Sequence, residues 1–229
     1  MVPFHSQVTL KVFGVRKMAS KKFQNISKQK NLSRAENTRN KLNYYLIVCE
    51  GKQTEPNYFK ALKKQLPRGI LNIDVLGTGA DTQTIVNIAE NKNIESKETS
   101  RPYDKVWVVF DRDQFPLDKF DNAIKSAEAK KIGCAWSNKA FELWYLLHFE
   151  YCVTKMSCKE YNKSLSNHLK SKYQKNDPNM YEKLKSLQGT AIKNSERLLK
   201  MHLGATPSRL NPATTVHLLV KELNEYLKK

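Results

Sequence analysis

KVWVVFDRD, residues 105–113, decides how the rest of the chain is read. Val106, Trp107, Val108, Val109 and Phe110 form an unbroken β-branched and aromatic run, the composition of a strand buried on both faces of a parallel sheet. The run stops at Asp111-Arg112-Asp113. Residues i and i+2 of an extended chain project to one side, so the two carboxylates are expected to converge while Arg112 points away. Converging carboxylates repel unless a proton or a cation lies between them, and a hard divalent ion, Mg2+ or Mn2+, takes oxygen ligands. An isolated D-x-D is more often two solvated loop or N-cap residues. A second acid at the same kind of place separates the two readings.

Glu50 is that acid. YYLIVC, residues 44–49, is another short apolar run, and Glu50-Gly51 follows it directly. Thr54-Glu55-Pro56 then reads as a helix start, with Thr54 as the cap and Pro56 in the first turn, where its missing N–H costs nothing. The ends of parallel strands that feed helices share one edge of the sheet, the edge at which open α/β sheets bind ligands. Glu50 and the Asp pair are therefore expected neighbours despite the roughly 60 residues between them.

An apolar strand closed by Glu-Gly, a βα unit, and a strand closed by Asp-x-Asp together resemble the Toprim fold. More narrowly, CEGKQTEPNYFKAL (49–62), VWVVFDRD (106–113), WSNKAFELWYLLHFE (136–150) and NPATTVHLLVKEL (211–223) are jointly similar to the RloB family of prokaryotic Toprim-like proteins associated with restriction and phage-defence loci. The resemblance runs from residue 44 to the C-terminus. It implies a small parallel sheet flanked by helices, a Mg2+ or Mn2+ cofactor held by Glu50, Asp111 and Asp113, a role in defence, and an AAA- or ABC-type ATPase partner. One departure is Lys139, which stands where the family pattern has proline.

The net charge of +18 is unevenly spread. Residues 1–43 carry a net +9, residues 44–152 are neutral, and residues 153–209 carry +8. Basic segments of this kind bind nucleic-acid phosphates through counterion release, although lysine-rich tails also serve solubility alone. Residues 1–43 are polar and poor in aromatics and read as a flexible basic arm; Lys21, Lys22, Lys28 and Lys30 are its candidate phosphate contacts. Met18-Ala19-Ser20 reads as a fresh start within it. Residues 44–152 form the expected Toprim-like α/β domain and residues 153–229 a basic helical region packed on it. No apolar run approaches the ~20 residues of a membrane helix, and the four cysteines include no C-x-x-C pair, so a cytoplasmic chain without disulfides is expected. The spacing of His148, Cys152, Cys158 and His168 matches no familiar zinc pattern.

Among the remaining segments, residues 71–76 alternate as a second strand, and residues 77–81 (GTGAD) form a turn before a helix from Thr82. Its N–H groups would suit a phosphate, but a plain strand–helix turn explains it as well. Residues 117–131 read as a helix and 133–136 as a short fourth strand. Residues 137–150 read as one helix apolar on nearly all sides, capped by Ser137 or Asn138 and hence deeply buried. Glu142 near its start is explained by the helix dipole or by a place at the metal edge; His148 is the more ordinary core histidine. Residues 158–173, 180–186, 191–201 and 213–228 read as further helices, the last capped by residues 211–215, with Val216, Leu219, Val220, Leu223 and Leu227 as its apolar stripe.

The residues point to a metal-dependent nuclease acting on RNA or DNA, with Glu50, Asp111, Asp113 and Glu142 as catalytic candidates. Arg112, Lys52 and Lys139 are the candidates for offsetting phosphate charge. A nucleic-acid-binding adaptor, or a subunit of a defence ATPase, whose acids are non-catalytic is the competing reading. A primase or strand-passing enzyme would need accessory modules for which no segment stands.

Overall fold

β1 (Asn43–Cys49) and β3 (Lys105–Asp111), the two apolar runs that precede Glu50 and Asp113, lie side by side in the middle of one sheet. The structure, a computed structural model, describes residues 42–67, 69, 71–113, 116–201 and 204–228. Residues 1–41 of the expected basic arm, with Met18, Lys21, Lys22, Lys28 and Lys30, lie outside the described residues, while Asn43, placed in the arm, opens β1.

The strand order is β2-β1-β3-β4-β5, where β2 is Leu71–Gly77, β4 is Gly133–Asn138 and β5 is Ala213–Thr214. The first four strands are parallel and β5 runs antiparallel to β4. This is an α/β fold with a mostly parallel five-stranded sheet between helices, consistent with a small Toprim-like sheet. Right-handed crossovers place a helix that leads to the left of β1 on one face and helices that lead to the right on the other. Accordingly α1 (Thr54–Lys63) packs with Tyr45, Ile47, Trp107 and Val109. On the opposite face α2 (Thr82–Lys97) and α3 (Leu117–Ala129) pack with Leu46, Val48, Val108 and Phe110. The alternation of neighbours along each strand follows from the two-residue period.

The face bearing α1 is closed by the helices that follow β4, while Leu210 and Ala213 join the core of the opposite face. These helices are α4 (Glu142–Leu146), α5 (Cys158–Leu169), α6 (Met180–Leu184), α7 (Gln188–Met201) and α8 (Val216–Asn224). They contribute Trp144, Tyr161, Leu165, Tyr181, Leu198 and Leu219 to the same core as Tyr58 and Phe59. The stripe on α8 packs as expected through Val216, Leu219, Val220 and Leu223, whereas Leu227 lies in the last turn and is exposed.

Three local readings are corrected. The helix expected over residues 137–150 is only α4, because Ser137 and Asn138 extend β4. Their polar groups have distant partners: Ser137 Oγ pairs with Thr214 Oγ1 at 3.0 Å, and Asn138 Nδ2 donates to the Ser208 carbonyl at 3.0 Å. Residues 213–214 are a strand and α8 begins only at Val216; Thr214 and Thr215 are buried, their hydroxyls donate to carbonyls of β4, and Thr214 Oγ1 also accepts from Val216 N–H at 3.2 Å. Thr54 is the first residue of α1, not its cap, and its hydroxyl donates to the Lys175 carbonyl at 3.0 Å.

Candidate functional site

From β1 the chain steps outward to β2 across one face, then returns across the other to β3. The gap between the ends of β1 and β3 is therefore the switch point at which such sheets form clefts. Glu50 is the first residue past β1 and Asp111 the last of β3, and the main chain locks them together. Glu50 N–H donates to the Val109 carbonyl at 2.9 Å, and Asp111 N–H donates to Glu50 Oε2 at 3.1 Å. Thr78 N–H and Gly79 N–H donate to the carbonyls of Cys49 and Glu50 at 3.0 and 2.7 Å. That use of the 77–81 turn leaves these two N–H groups committed to protein and not to a phosphate.

Asp111 and Asp113 do not form the expected convergent pair. The chain leaves the strand at Asp111, and Asp113 has φ 38°, exposed in the turn, with its N–H donating to the Lys139 carbonyl at 3.0 Å. Asp111 turns inward, where Oδ2 accepts from Phe141 N–H at 3.0 Å and Oδ1 is buried without a partner. The acids whose charges act on it are Glu55, Glu142 and Glu50. Asp113 acts on Glu50.

Glu55 is a member that the sequence reading missed. It sits in the first turn of α1, only 5% exposed, with Oε2 buried and unpartnered. Gly51 makes room for it: a Cβ at residue 51 would overlap this carboxylate. Glu142, 3% exposed at the first position of α4, accepts from Tyr173 Oη at 3.1 Å. Tyr173 and Lys175 come from the loop after α5 and were also missed.

The electrostatics follow from this crowding. Burial pushes the Glu50 carboxyl up to about 7, against the opposing Asp111 N–H. Burial, then the charges of Glu55 and Glu142, hold Asp111 well above the usual carboxylate range. Burial also raises Glu55, with Glu142 adding to it. Partial burial works against the Lys175 ammonium, but Glu142, Asp111 and Glu55 outweigh it and raise Lys175. Lys175 is thus the internal counter-charge of the cluster.

The candidate cations are arranged unequally. Arg112 is half-buried, and its Nε donates to Asn138 Oδ1 at 2.9 Å, away from the acids as expected. Lys139 is half-buried, and Lys52 is exposed with its stem over Gly79. His148 is a core residue. Its Nδ1–H donates to the Trp144 carbonyl at 2.8 Å, and burial pushes the imidazole down to about 4.

Whether a hard cation fits here can be tested on the donor set. Four carboxylates meet at one sheet edge, and two of their oxygens, Asp111 Oδ1 and Glu55 Oε2, are buried without hydrogen-bond partners. That chemistry suits Mg2+ or Mn2+. Among the described residues, however, no three His, Cys, Asp or Glu side chains are arranged to hold an ion as they stand. Loading the site would require these side chains to move.

A Toprim-like sheet with an acid cluster at its switch point is the class that fold and geometry define. The chain belongs to the RloB-like protein family, whose model matches residues 45–223. No match to the chain was found among curated proteins or among solved structures.

Proposed function

We propose that the protein is a Mg2+- or Mn2+-dependent nuclease acting in prokaryotic phage defence, inside the cell and with an ATPase partner. The observation that carries this reading is Asp111: a carboxylate buried at a strand end among Glu50, Glu55 and Glu142, with one oxygen unpartnered. Such a group is unfavourable unless a proton or cation completes it.

Glu50, Glu55, Asp111 and Glu142 would hold the ion, with Asp113 at the rim. When bound, it supplies charge stabilisation at the scissile phosphate and a more acidic water. Glu50, pushed up to about 7 by burial, is suited to take a proton from water near neutral pH. Lys52 and Lys139 flank the edge and would hold phosphate oxygens, while the Arg112–Asn138 bond fixes the guanidinium behind them. Among the described residues no helix is long and apolar enough to cross a membrane.

Incubation with labelled tRNA, single-stranded RNA and plasmid DNA, each with Mg2+, Mn2+ or EDTA, tests the proposal. Cleavage that EDTA abolishes and Asp111→Asn removes is expected; no cleavage of any substrate with either metal overturns it. The lack of a ready-made ligand group among the described residues favours the adaptor as second reading. Calorimetric Mn2+ titration of wild type and Glu142→Gln separates them: the nuclease binds Mn2+ and the variant binds it more weakly, whereas an adaptor shows no binding in either.

A further inference from the structure

β2 is the open edge of the sheet, paired with β1 on one side and with no described strand on the other. Along this edge runs a groove that the carboxylate site does not use. Its first hollow, about 730 Å³, is lined by Lys60, Lys63, Lys64 and Arg101, with no acid among the described lining residues. The next, about 340 Å³, shares Lys60 and Lys63, adds Lys92, and reaches Leu76 near the end of β2. One residue further is Gly77, and Lys52 lies over Gly79, whose N–H is bonded to the Glu50 carbonyl. The cations therefore run along the edge strand, with Lys52 beyond its end over the turn that is bonded to the Glu50 main chain.

What sets these cations apart is their grouping: Lys60, Lys63, Lys64, Lys92 and Arg101 line two adjoining hollows that hold one acid, Asp74, among the described lining residues. Some lysines elsewhere on the described surface sit on acids, as in Lys130–Glu90 at 2.8 Å, Lys183–Asp177 at 2.7 Å and Lys221–Glu196 at 2.5 Å. Among the described residues, Lys52, Lys60, Lys64, Lys92 and Arg101 have no such ion pair. Lys63 spends its ammonium on the Ile73 carbonyl, which blunts the open edge. The acids alongside are Asp74, which accepts from Tyr103 Oη at 2.8 Å, and Glu95. Neighbouring unpaired cations repel each other, and a polyanion removes that repulsion.

We infer that this edge is a track for a nucleic-acid backbone, leading a strand from the far end of the sheet to the carboxylate site. The inference rests on the reading of the protein as a nuclease and names where the substrate lies outside the cleft. A seven-residue strand spans roughly 20 Å, the length of about six stacked nucleotides. An acidic polypeptide would meet the same charges, but tight protein partners anchor through buried aromatic and aliphatic groups. The two hollows also carry apolar lining such as Leu71, Val75, Leu76 and Tyr103, but their five cations against one acid, Asp74, match a phosphate backbone.

The test compares the full chain with K60Q/K64Q/R101Q and with a charge-matched control, K97Q/K125Q/K193Q, scattered over other exposed helix positions. Binding of fluorescein-labelled single-stranded RNA and duplex DNA is measured in EDTA across a salt series. The track variant should bind at least about tenfold more weakly at low salt. Its slope of log affinity against log salt should be shallower by about two to three. Its melting temperature and its cleavage rate at saturating substrate should match wild type. Wild-type binding and cleavage together with an unaltered track variant, or an equal loss in the control, overturns the track alone. Absence of nucleic-acid binding by wild type overturns the nuclease reading with it. Equal competition by poly-glutamate overturns nucleic acid as the occupant.

Discussion

Glu50 joins the sheet to the acid cluster, and its carboxyl titrates where most carboxyls no longer do. Burial holds it up to about 7, so the folded state binds its proton more tightly than the unfolded chain does. Its contribution to metal-free stability is therefore present below the ordinary carboxyl range and lost as pH rises from about 4.5 to about 7. Discounted for the solvent it retains, the loss is about 2 kcal/mol. Metal-free Glu50→Gln should lack that decline relative to wild type, as thermal melts across this window will show. Two further substitutions should act in opposite directions in the metal-free protein near pH 8. Asp111→Asn keeps an acceptor for Phe141 N–H but removes a buried charge among three others, and should raise stability by ~1–2 kcal/mol. Lys175→Met removes the counter-charge and should lower stability by up to about 1 kcal/mol, a small value because the ammonium is exposed. Equal signs for the two in differential melting would refute the picture of a repelling cluster balanced by Lys175. Glu50 and Asp111 were legible because each follows an apolar strand. Glu55 was not, because an acid in the first turn of a helix is already explained by the dipole. Tyr173 and Lys175 lie in a loop amid many lysines, and only the tertiary fold brings them to Glu142.

At the scale of elements, α4 and the turn after it form the plug under the site. Trp144 and Phe141 pack edge-on against Tyr58 and Tyr145 lies tilted against it, and His148 sits edge-on to Trp144 with ring centroids 4.8 Å apart. This buried imidazole is held neutral, down to about 4, so between that value and about 6.5 the unfolded chain binds the extra proton. Stability from His148 is present at neutral pH and lost as pH falls through that window, by on the order of 3 kcal/mol. His148→Gln should flatten the acid limb of a stability-against-pH profile without moving the neutral-to-alkaline part; an unchanged acid limb would show that His148 is not buried neutral. His217, also down to about 4, keeps part of the slope in the variant. The strands feeding the site were readable as apolar runs, and α2 begins at Thr82 as expected, with Asp81 found as its cap. β5 was not readable: two residues carry no periodicity, and Thr214 and Thr215 are placed by bonds to β4 across nearly the whole domain. The same distant bonds claim Ser137 and Asn138 for β4, which is why an apolar helix pattern ran too far.

At the scale of the whole chain, charge and chemistry are separated along the sequence. Residues 44–152, which hold Glu50, Glu55, Asp111 and Glu142, are neutral overall, and the excess charge lies in residues 1–43 at +9 and 153–209 at +8. A neutral middle keeps the field at the cluster local, where Lys175 balances it. The flanks set the long-range attraction for a polyanion, which is screened within about 8 Å at physiological salt. Affinity and catalysis should then respond to different parts of the molecule. Deleting residues 1–40 removes Lys21, Lys22, Lys28 and Lys30 with most of the first basic segment. Nucleic-acid affinity should fall, and the slope of log affinity against log salt should become shallower by roughly 0.7–0.9 for each phosphate no longer neutralised. The single-turnover cleavage rate at saturating substrate should stay within about twofold of the full chain, because Glu50, Glu55, Asp111 and Glu142 are all retained. Fluorescence anisotropy across a salt series, paired with quenched-flow cleavage in Mn2+, reads both quantities on the same preparations. An unchanged salt slope would reduce the segment to a solubilising tail, and a loss of the single-turnover rate would mean that it reaches the chemistry itself.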